Sequence, residues 1–290
     1  MTVLEVLQST TAYFKKRDIE SPRLNAEHLL AHALNRKRIE LYLEFERALT
    51  EAELAPLREL VRRRGLGEPL QHLLGTVEFA GRVFLCDQRA LVPRPETEQL
   101  VELLKSEIPA RNASHSVAGG PDHRLQILDV GTGSGVIALT LAGHFPDAEV
   151  HGVDISEEAL ALARENAARL ELTDRVRFEK SDLLTTVEGA FDLIVANLPY
   201  VPAGDRPTLS REVLHDPALA VFGGERGDEL VRKLIDAAPA RLRPGGMLAL
   251  EVGIGQADDL TAFLAEKNYH DIAAIRDYCG VIRFLFGRYG

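Results

Sequence analysis

The sequence contains very little cysteine and no tryptophan. Of its 290 residues only Cys86 and Cys279 are cysteines, which leaves neither a disulfide framework nor thiols at metal-ligand spacing. Such a composition is typical of a reducing compartment, so we predict a cytoplasmic location. Runs of about 18 apolar residues, which a membrane helix requires, are absent. The first residues also lack the basic and apolar regions of a signal peptide, so we expect no association with a membrane.

Basic residues are too few to suggest an extended nucleic-acid-binding surface. The chain has 34 Lys and Arg against 44 Asp and Glu, a net charge of −10. Residues 1–70 are nearly neutral, with 12 basic and 11 acidic side chains, so the acidic excess lies in residues 71–290. Proteins that bind long nucleic acids need clustered Lys and Arg to neutralise phosphates. We therefore expect no stable nucleic-acid binding, whereas a protein or small-molecule substrate is compatible with this charge.

Residues 1–64 have the pattern of a small helical bundle. Their apolar residues recur three and four positions apart, as on one face of a helix. Pro22 stands where a second helix would begin, and Thr50 with Glu53 forms a possible capping box for a third. Helices with one apolar face bury that face against one another, so we predict an N-terminal domain over 1–64. Its near-neutral charge suggests that it docks a protein substrate.

Residues 65–92 are predicted to form a linker. Glycine and proline near its start end the helical pattern. Residues 70–92 contain two β-rich pieces, 75–79 and 82–86, which can pair as a hairpin. Further along the chain, the polar segment 108–124 is interpreted as a surface loop.

The segment 93–98, Pro-Arg-Pro-Glu-Thr-Glu, is expected to be stiff. Two prolines restrict the backbone on either side of Arg94. Glu96 and Glu98 favour the start of a helix through its dipole. The segment is therefore either a helix cap or a rigid wall of a pocket.

From residue 126 onward, strand patterns alternate with helical ones. The predicted strands are 126–130, 149–155, 176–180, 191–197 and 246–252, with two weaker ones at 272–275 and 282–286. The predicted helices are at about 136–144, 157–170, 228–242 and 256–267. This alternation predicts an α/β fold with a doubly wound, mostly parallel, seven-stranded sheet of the Rossmann-like type.

Three predicted strand ends carry residues suited to binding an adenosine group. The turn 131–135, Gly-Thr-Gly-Ser-Gly, follows the first strand, and its glycines let the backbone turn tightly and let a ligand approach. Asp154 ends the second strand, where a carboxylate can accept both ribose hydroxyls. Asp182 follows the third strand, where it can accept the adenine amino group. Helix capping by the two aspartates is the alternative, and the short glycine spacing disfavours an NAD enzyme.

The fourth predicted strand runs into Asn197, Leu198, Pro199 and Tyr200, at the edge of the sheet where ligands bind. An amide or aromatic amine nitrogen is a poor nucleophile because its lone pair is delocalised. The Asn197 side-chain oxygen and the Leu198 carbonyl can accept its two N–H groups, and Tyr200 can pack on the planar group. An ordinary turn is the alternative. With the glycine turn upstream, this arrangement resembles that of methyltransferases acting on planar nitrogen, which carry Asn or Asp followed by Pro-Pro-Tyr or a close variant.

Six segments together resemble the bacterial and organellar release-factor glutamine methyltransferases, and the likeness covers nearly the whole chain. They are 22–30 (PRLNAEHLL), 67–75 (GEPLQHLLG), 93–98 (PRPETE), 131–135 (GTGSG), 197–200 (NLPY) and 216–224 (DPALAVFGG). The resemblance implies methyl transfer from S-adenosyl-L-methionine to N5 of the glutamine in the Gly-Gly-Gln motif of peptide-chain release factors. It also implies that residues 93–290 form the methyltransferase domain.

By position, the resemblance assigns roles to particular residues. The residues implied to bind the cofactor are Gly131, Thr132, Gly133, Ser134, Gly135, Asp154, Asp182, Leu183 and Asn197. The residues implied to bind the glutamine are Asn197, Leu198, Pro199 and Tyr200. Of these, Asn197, Pro199 and Tyr200 are also implied to be catalytic. No metal is needed, because the methyl donor is already a cationic sulfonium.

Two positions depart from the family pattern. Leu198 replaces the usual proline, but its carbonyl is retained and Pro199 still biases it toward an extended backbone. Leu183 replaces an aromatic residue, so it offers adenine an apolar contact without ring stacking. Ribosomal-RNA adenine dimethylases also have Asn-Leu-Pro-Tyr as this motif, so an N6-adenine methyltransferase acting on RNA or DNA is the alternative. A binding module without catalysis is disfavoured by the intact turn at 131–135 and by Asn197.

Overall fold

A capping residue defines where one of the N-terminal helices begins. The computed structural model describes residues 1–112 and 124–290, and residues 1–77 with 209–215 form one of its two units. The Thr50 hydroxyl accepts the Glu53 N–H at 3.4 Å, and the Glu53 carboxylate accepts the Thr50 N–H at 2.8 Å. This confirms the predicted capping box. The helices of this unit are α1 (Val3–Lys15), α2 (Pro22–Ala33), α3 (Arg38–Leu43), α4 (Glu51–Gly65) and α5 (Leu70–Leu74).

Two short helices of this unit, α3 and α5, are not predicted from the sequence. Residues Leu70–Leu74, which precede the predicted β-rich pieces, are helical. Pro69 precedes this helix, none of its residues is β-branched, and Gly75 ends it with a left-handed φ of +71°. Leu73 is buried in the core of the unit, so packing stabilises a helix that is too short to form alone.

A buried arginine joins the segment 209–215 to the helical unit. Arg64 donates from Nε to the Asn25 side-chain oxygen at 2.7 Å and from Nη1 to the Glu68 carbonyl at 3.0 Å. It also forms an ion pair with Glu212. Because its N–H groups donate hydrogen bonds to these acceptors, the guanidinium can be buried without a large loss of stability.

The second unit comprises residues 78–208 and 216–290. The strands of the chain, in order, are β1 (Thr76–Phe79), β2 (Arg82–Leu85), β3 (Gln126–Val130), β4 (Glu149–Asp154), β5 (Val176–Lys180), β6 (Phe191–Asn197), β7 (Val201–Pro202), β8 (Phe222–Gly224), β9 (Leu242–Glu251), β10 (Tyr269–Arg276) and β11 (Ile282–Tyr289). The remaining α-helices are α6 (Pro95–Asn112), α7 (Val136–His144), α8 (Glu157–Arg169), α9 (Ala218–Val221), α10 (Glu229–Ala237) and α11 (Ala257–Glu266). The predicted hairpin is confirmed, since β1 pairs with β2.

The main sheet has seven strands in the order β10-β11-β9-β6-β3-β4-β5. The strands from β9 to β5 pair in parallel, whereas β11 pairs antiparallel with both β9 and β10. The predicted seven-stranded, mostly parallel sheet is therefore confirmed. Parallel register aligns Val130 with Ala196 and Asn197 with Glu251, so the carboxyl ends of these strands meet at one edge. Among residues 1–112 and 124–290, no helix is both long and apolar enough to cross a membrane.

One predicted helix extends too far along the chain. The helix predicted over 228–242 ends at Ala237, and β9 begins at Leu242. The cause is Pro239, which cannot continue an α-helix and lies instead in a short 3-10 turn.

The surface loop predicted over 108–124 is wrong at its start. Helix α6 continues to Asn112, and Ile108 is buried, which holds this part of the helix in place. The remainder of that prediction, residues 113–123, lies outside the described residues.

Candidate active site

A cavity of about 670 Å³ lies at the carboxyl ends of the parallel strands in the second unit. Its walls include most of the residues that the sequence places in a site. They are Gly131, Thr132, Gly133, Ser134, Asp154, Asp182, Leu183, Asn197, Leu198 and Pro199. Gly135 and Tyr200 are not among the residues that line it. Residues that follow four different strands therefore meet in one cavity, as expected for an open parallel sheet.

Hydrogen bonds join the glycine turn to the end of β4. The N–H groups of Gly131 and Thr132 donate to the Val153 carbonyl at 2.8 and 2.9 Å. The Gly133 N–H donates to the Asp154 carboxylate at 2.9 Å. Gly133 has a left-handed φ of +56°, and a Cβ added there would meet only Ala90, at 3.9 Å. The open space beside Gly133 lets a ligand approach the backbone closely.

Asp154 is placed to bind a further group. One carboxylate oxygen accepts the Gly133 N–H and the other accepts the Ser156 N–H, each at 2.9 Å. Each oxygen keeps a second lone pair, and the side chain lines the cavity. Burial raises the pKa of Asp154, and the backbone hydrogen bonds oppose that shift. The geometry fits a ligand that offers hydroxyl donors.

Gly135 has a structural environment different from that of the other glycines in the turn. It precedes α7 with a φ of +81°. A Cβ there would lie 3.1 Å from side-chain atoms of both Ala163 and Leu139, and 3.2 Å from Phe178. Its small size therefore lets α7 pack closely on its neighbours, whereas its predicted contact with the cofactor stays a prediction.

Asp129 is a buried carboxyl group directly beneath the glycine turn. Its Oδ2 accepts the Thr132 hydroxyl at 2.6 Å and the Ala138 N–H at 3.1 Å. Its Oδ1 has no hydrogen-bond partner among the described residues. Burial raises the pKa of Asp129 to about 7, the two hydrogen bonds lower it, and the nearby Asp154 raises it further. Asp129 is not among the site residues predicted from the sequence.

Asn197 lies at the end of β6 and is held by a helix residue. Its Nδ2 donates to the Thr97 hydroxyl on α6 at 2.9 Å, and the Thr97 hydroxyl donates to the Glu251 carboxylate at 2.8 Å. Thr97 also lines the cavity. Sequence reasoning missed both partners, although Thr97 belongs to the stiff segment that it suggested as a pocket wall.

Tyr200 follows β6 but is not among the residues that line the cavity. Its carbonyl accepts the Gln256 side-chain N–H at 3.0 Å, and a Cβ on Gly253 would lie 3.1 Å from its ring. Burial, and then the nearby Glu251, raise the pKa of the Tyr200 hydroxyl. Packing of Tyr200 on the substrate stays a prediction, because other residues form the cavity wall.

A second group of cavity residues was not predicted as part of the site. Asp216 has a fully buried side chain that accepts the Val92 N–H at 3.2 Å and forms an ion pair with Arg94 at 2.7 Å. Arg94, Pro217 and Leu219 then line the cavity. The sequence signals for this wall were the stiff segment 93–98, which contains Arg94, and the segment 216–224, both of which contributed to the family resemblance.

Comparisons with known proteins agree with this geometry. Residues 5–75 match the family model of the PrmC N-terminal domain, and residues 121–237 match that of a methyltransferase domain. The release factor glutamine methyltransferase of Koribacter versatilis is 40% identical, over 99% of this chain and 99% of its own length. That of Chlorobaculum tepidum is also 40% identical, over 96% of this chain and 94% of its own. The chain belongs to the release factor glutamine methyltransferase family.

Membership of the release factor glutamine methyltransferase family confirms the resemblance inferred from the six segments. The fold has an independent parallel in the hMettl16 catalytic domain, solved in complex with a MAT2A 3′UTR hairpin. That domain matches with a TM-score of 0.55 over 83% of both chains, at 13% identity, and so supports the fold alone. The protein is thus a methyltransferase, and the family and fold imply S-adenosyl-L-methionine as its cofactor.

Proposed function

We propose that this protein transfers a methyl group from S-adenosyl-L-methionine to N5 of the glutamine in the Gly-Gly-Gln motif of peptide-chain release factors. The observation that carries this proposal is the position of Asn197 in the same cavity as the glycine turn and Asp154. The names of near-full-length relatives support the choice of acceptor.

The cavity residues fit the cofactor. Asp154 would hold the ribose hydroxyls through its remaining lone pairs, and the backbone at Gly133 would allow close approach. Asp182 and Leu183 would contact the adenine. When bound, the cofactor supplies a methyl group on a positively charged sulfur. The strand ends therefore provide one polar group for each part of an adenosine, as proposed for Asp154 and Asp182 from the sequence.

Two oxygens of the chain would hold the glutamine amide. The Asn197 Oδ1 and the Leu198 carbonyl would accept its two N–H groups, which fixes the nitrogen in one orientation. Both oxygens also stabilise the positive charge that develops on the nitrogen during transfer. Pro199 restricts Leu198 to an extended backbone, so replacement of the family's usual proline by Leu198 leaves this carbonyl in place.

We also propose that the helical unit docks the release factor. Helix α3 exposes Ile39 and Leu43, whose side chains are 68% and 84% exposed. They are four residues apart and so lie on one face of the helix. Apolar side chains on one exposed face are suited to burial against a protein partner.

The acceptor is tested by incubating the protein with labelled S-adenosyl-L-methionine and purified release factors, followed by mass mapping of the methyl group. Label is expected on the glutamine of the Gly-Gly-Gln motif. A release factor with alanine at that glutamine is the matched control and should stay unlabelled. RNA oligonucleotides serve as the competing acceptor. Label on adenine instead of the protein would overturn the proposed function in favour of an N6-adenine methyltransferase.

A further inference from the structure

Two buried polar side chains, those of Thr97 and Glu251, connect Asn197 to the interior of the sheet. Asn197 ends β6 and is in parallel register with Glu251, which ends β9. Glu251 is 1% exposed and Thr97 is 3% exposed. The Thr97 hydroxyl lies between the other two side chains, 2.9 Å from Asn197 Nδ2 and 2.8 Å from Glu251 Oε2.

The order of donors and acceptors along these two hydrogen bonds determines the orientation of the Asn197 amide. An ionised carboxylate only accepts hydrogen bonds, so the single proton of the Thr97 hydroxyl points toward Glu251. The hydroxyl oxygen is then left as an acceptor, and only the NH₂ end of Asn197 can satisfy it. The carbonyl end, Oδ1, must consequently face away from Thr97.

We propose that Thr97 and Glu251 are positioning residues that hold the Asn197 amide with Oδ1 toward the substrate. This inference rests on the proposed function, in which Oδ1 accepts an N–H of the substrate amide. Neither residue needs to contact the substrate for this role. A reversed Asn197 would present its NH₂ to the N–H donors of the glutamine, and the two sets of donors would repel each other.

The protonation state of Glu251 decides which orientation is stable. A protonated Glu251 can donate to Thr97, which then donates to the amide oxygen and favours the reversed Asn197. Burial raises the pKa of Glu251 to about 7, and the Thr97 hydrogen bond lowers it. Glu96 raises this pKa, whereas Arg283 and the nearby Asn197 side chain lower it.

One further titratable group, Tyr200, faces Glu251, and its own pKa is raised by burial and by Glu251. The Tyr200 hydroxyl therefore stays neutral across the neutral range. Methyl transfer is expected to rise with pH through about 7, because Glu251 then becomes a pure acceptor.

The first test compares Thr97→Val with Thr97→Ser. Valine keeps the shape and removes the hydroxyl, whereas serine keeps the hydroxyl. Single-turnover transfer at saturating cofactor is expected to fall by about tenfold or more in Thr97→Val, since small misplacement of a reacting group is costly. Thr97→Ser should restore transfer to within about threefold of the original rate. The cofactor Kd, measured by calorimetry, should change little in either variant.

The second test uses Glu251→Gln, which cannot ionise, and follows transfer from pH 6 to pH 8. The rise of the transfer rate with pH should disappear in this variant. Asp129, whose pKa is also raised to about 7, is unaltered in Glu251→Gln, so the comparison distinguishes Glu251 from Asp129 as the source of the rise. A rise that persists in Glu251→Gln, or full activity of Thr97→Val, would overturn the proposal. Melting temperatures of all variants identify any loss of folding, and Glu251→Gln keeps the inference testable if Thr97→Val does not fold.

A third readout does not depend on the methyl acceptor. The side-chain NH₂ resonances of Asn197 in ¹⁵N-labelled protein should shift as the pH crosses about 7, and the shift should be absent in Glu251→Gln. Resonances that do not respond to pH in the original protein would refute the positioning role. Failure of the original protein to methylate release factors would instead refute the proposed function, so the two failures are distinguishable.

Discussion

The Gly133 N–H donates to the Asp154 carboxylate across 2.9 Å, and this bond joins the glycine turn to the end of the neighbouring strand. The Asp154 carboxylate thus both holds the glycine turn and lines the cavity. A change at Asp154 is consequently expected to alter both the conformation of the glycine turn and the binding of a ligand in the cavity. Changes at Asp154 should affect ligand binding more than changes at an exposed aspartate elsewhere.

Replacement of Asp154 by alanine should weaken cofactor binding by about 2–4 kcal/mol, because the ribose hydroxyls lose a pair of charge-assisted hydrogen bonds. Calorimetry measures the change in Kd. Asp174→Ala is the matched control, since Asp174 is exposed and should leave the Kd unaltered. Equal affinities for the original protein and Asp154→Ala would remove Asp154 from the cofactor site.

Asn197→Ala should slow methyl transfer by about 10²-fold or more, as for loss of a preorganised polar group in other enzymes. The cofactor should still bind, because the glycine turn and Asp154 are intact. Asn197→Asp keeps an acceptor but adds a charge near the cationic sulfur, so tighter ground-state binding without faster transfer is expected. Single-turnover methylation of a release factor is the measurement. A rate for Asn197→Ala close to that of the original protein would show that another group holds the amide.

Gly133→Ala should weaken cofactor binding by at least about tenfold, equivalent to about 1.4 kcal/mol, because the added methyl group occupies the cavity. The left-handed backbone should also lower the free energy of unfolding by about 1–2 kcal/mol. Gly189→Ala is the control, since Gly189 has a φ of +90° and no atom within 4 Å of an added Cβ. It should show a comparable loss of stability with unaltered affinity. Equal affinity losses in both variants would argue against a ligand beside Gly133.

Asp129→Asn should reduce the loss of thermal stability that accompanies a rise in pH. The pKa of Asp129 is raised to about 7 in the folded protein, above its value of about 3.9 in an unfolded chain. The contribution of this carboxyl to stability is therefore complete below about pH 4 and is lost as the pH rises through about 7. Melting temperatures between pH 4 and pH 8 provide the test. Since Glu251 behaves similarly, part of the loss should remain, and an unaltered pH dependence would contradict the prediction.

The double variant Ile39→Ser and Leu43→Ser should raise the KM for the release factor by about 10²-fold or more, because each apolar side chain that is buried on docking contributes about 1.5–3 kcal/mol. The kcat and the cofactor Kd should be unaffected. Tyr278→Ser is the control, since Tyr278 lies outside the helical unit and is 87% exposed. A KM equal to that of the original protein would locate release-factor docking elsewhere.

Local patterns were sufficient for the longer elements. The strands β3, β5 and β6 and the helix α7 match their predicted bounds, because buried strands and helices carry their periodicity within a few residues. The short helices α3 and α5 were missed, because a helix of five or six residues is too short to show a helical period of apolar residues. Leu41 and Leu73 are buried there, so packing rather than propensity holds these helices.

By itself, the sequence determined the family, the order of strands and helices along the chain, and the chemical groups at the strand ends. These properties depend on residues that are close in sequence, as in the turn 131–135 and the motif 197–200. Only the tertiary structure decided which distant residues support Asn197. Thr97 is 100 positions from Asn197, and Glu251 is 154 positions from Thr97. Their contact depends on β9 lying beside β6 and on the placement of α6, which no local pattern encodes.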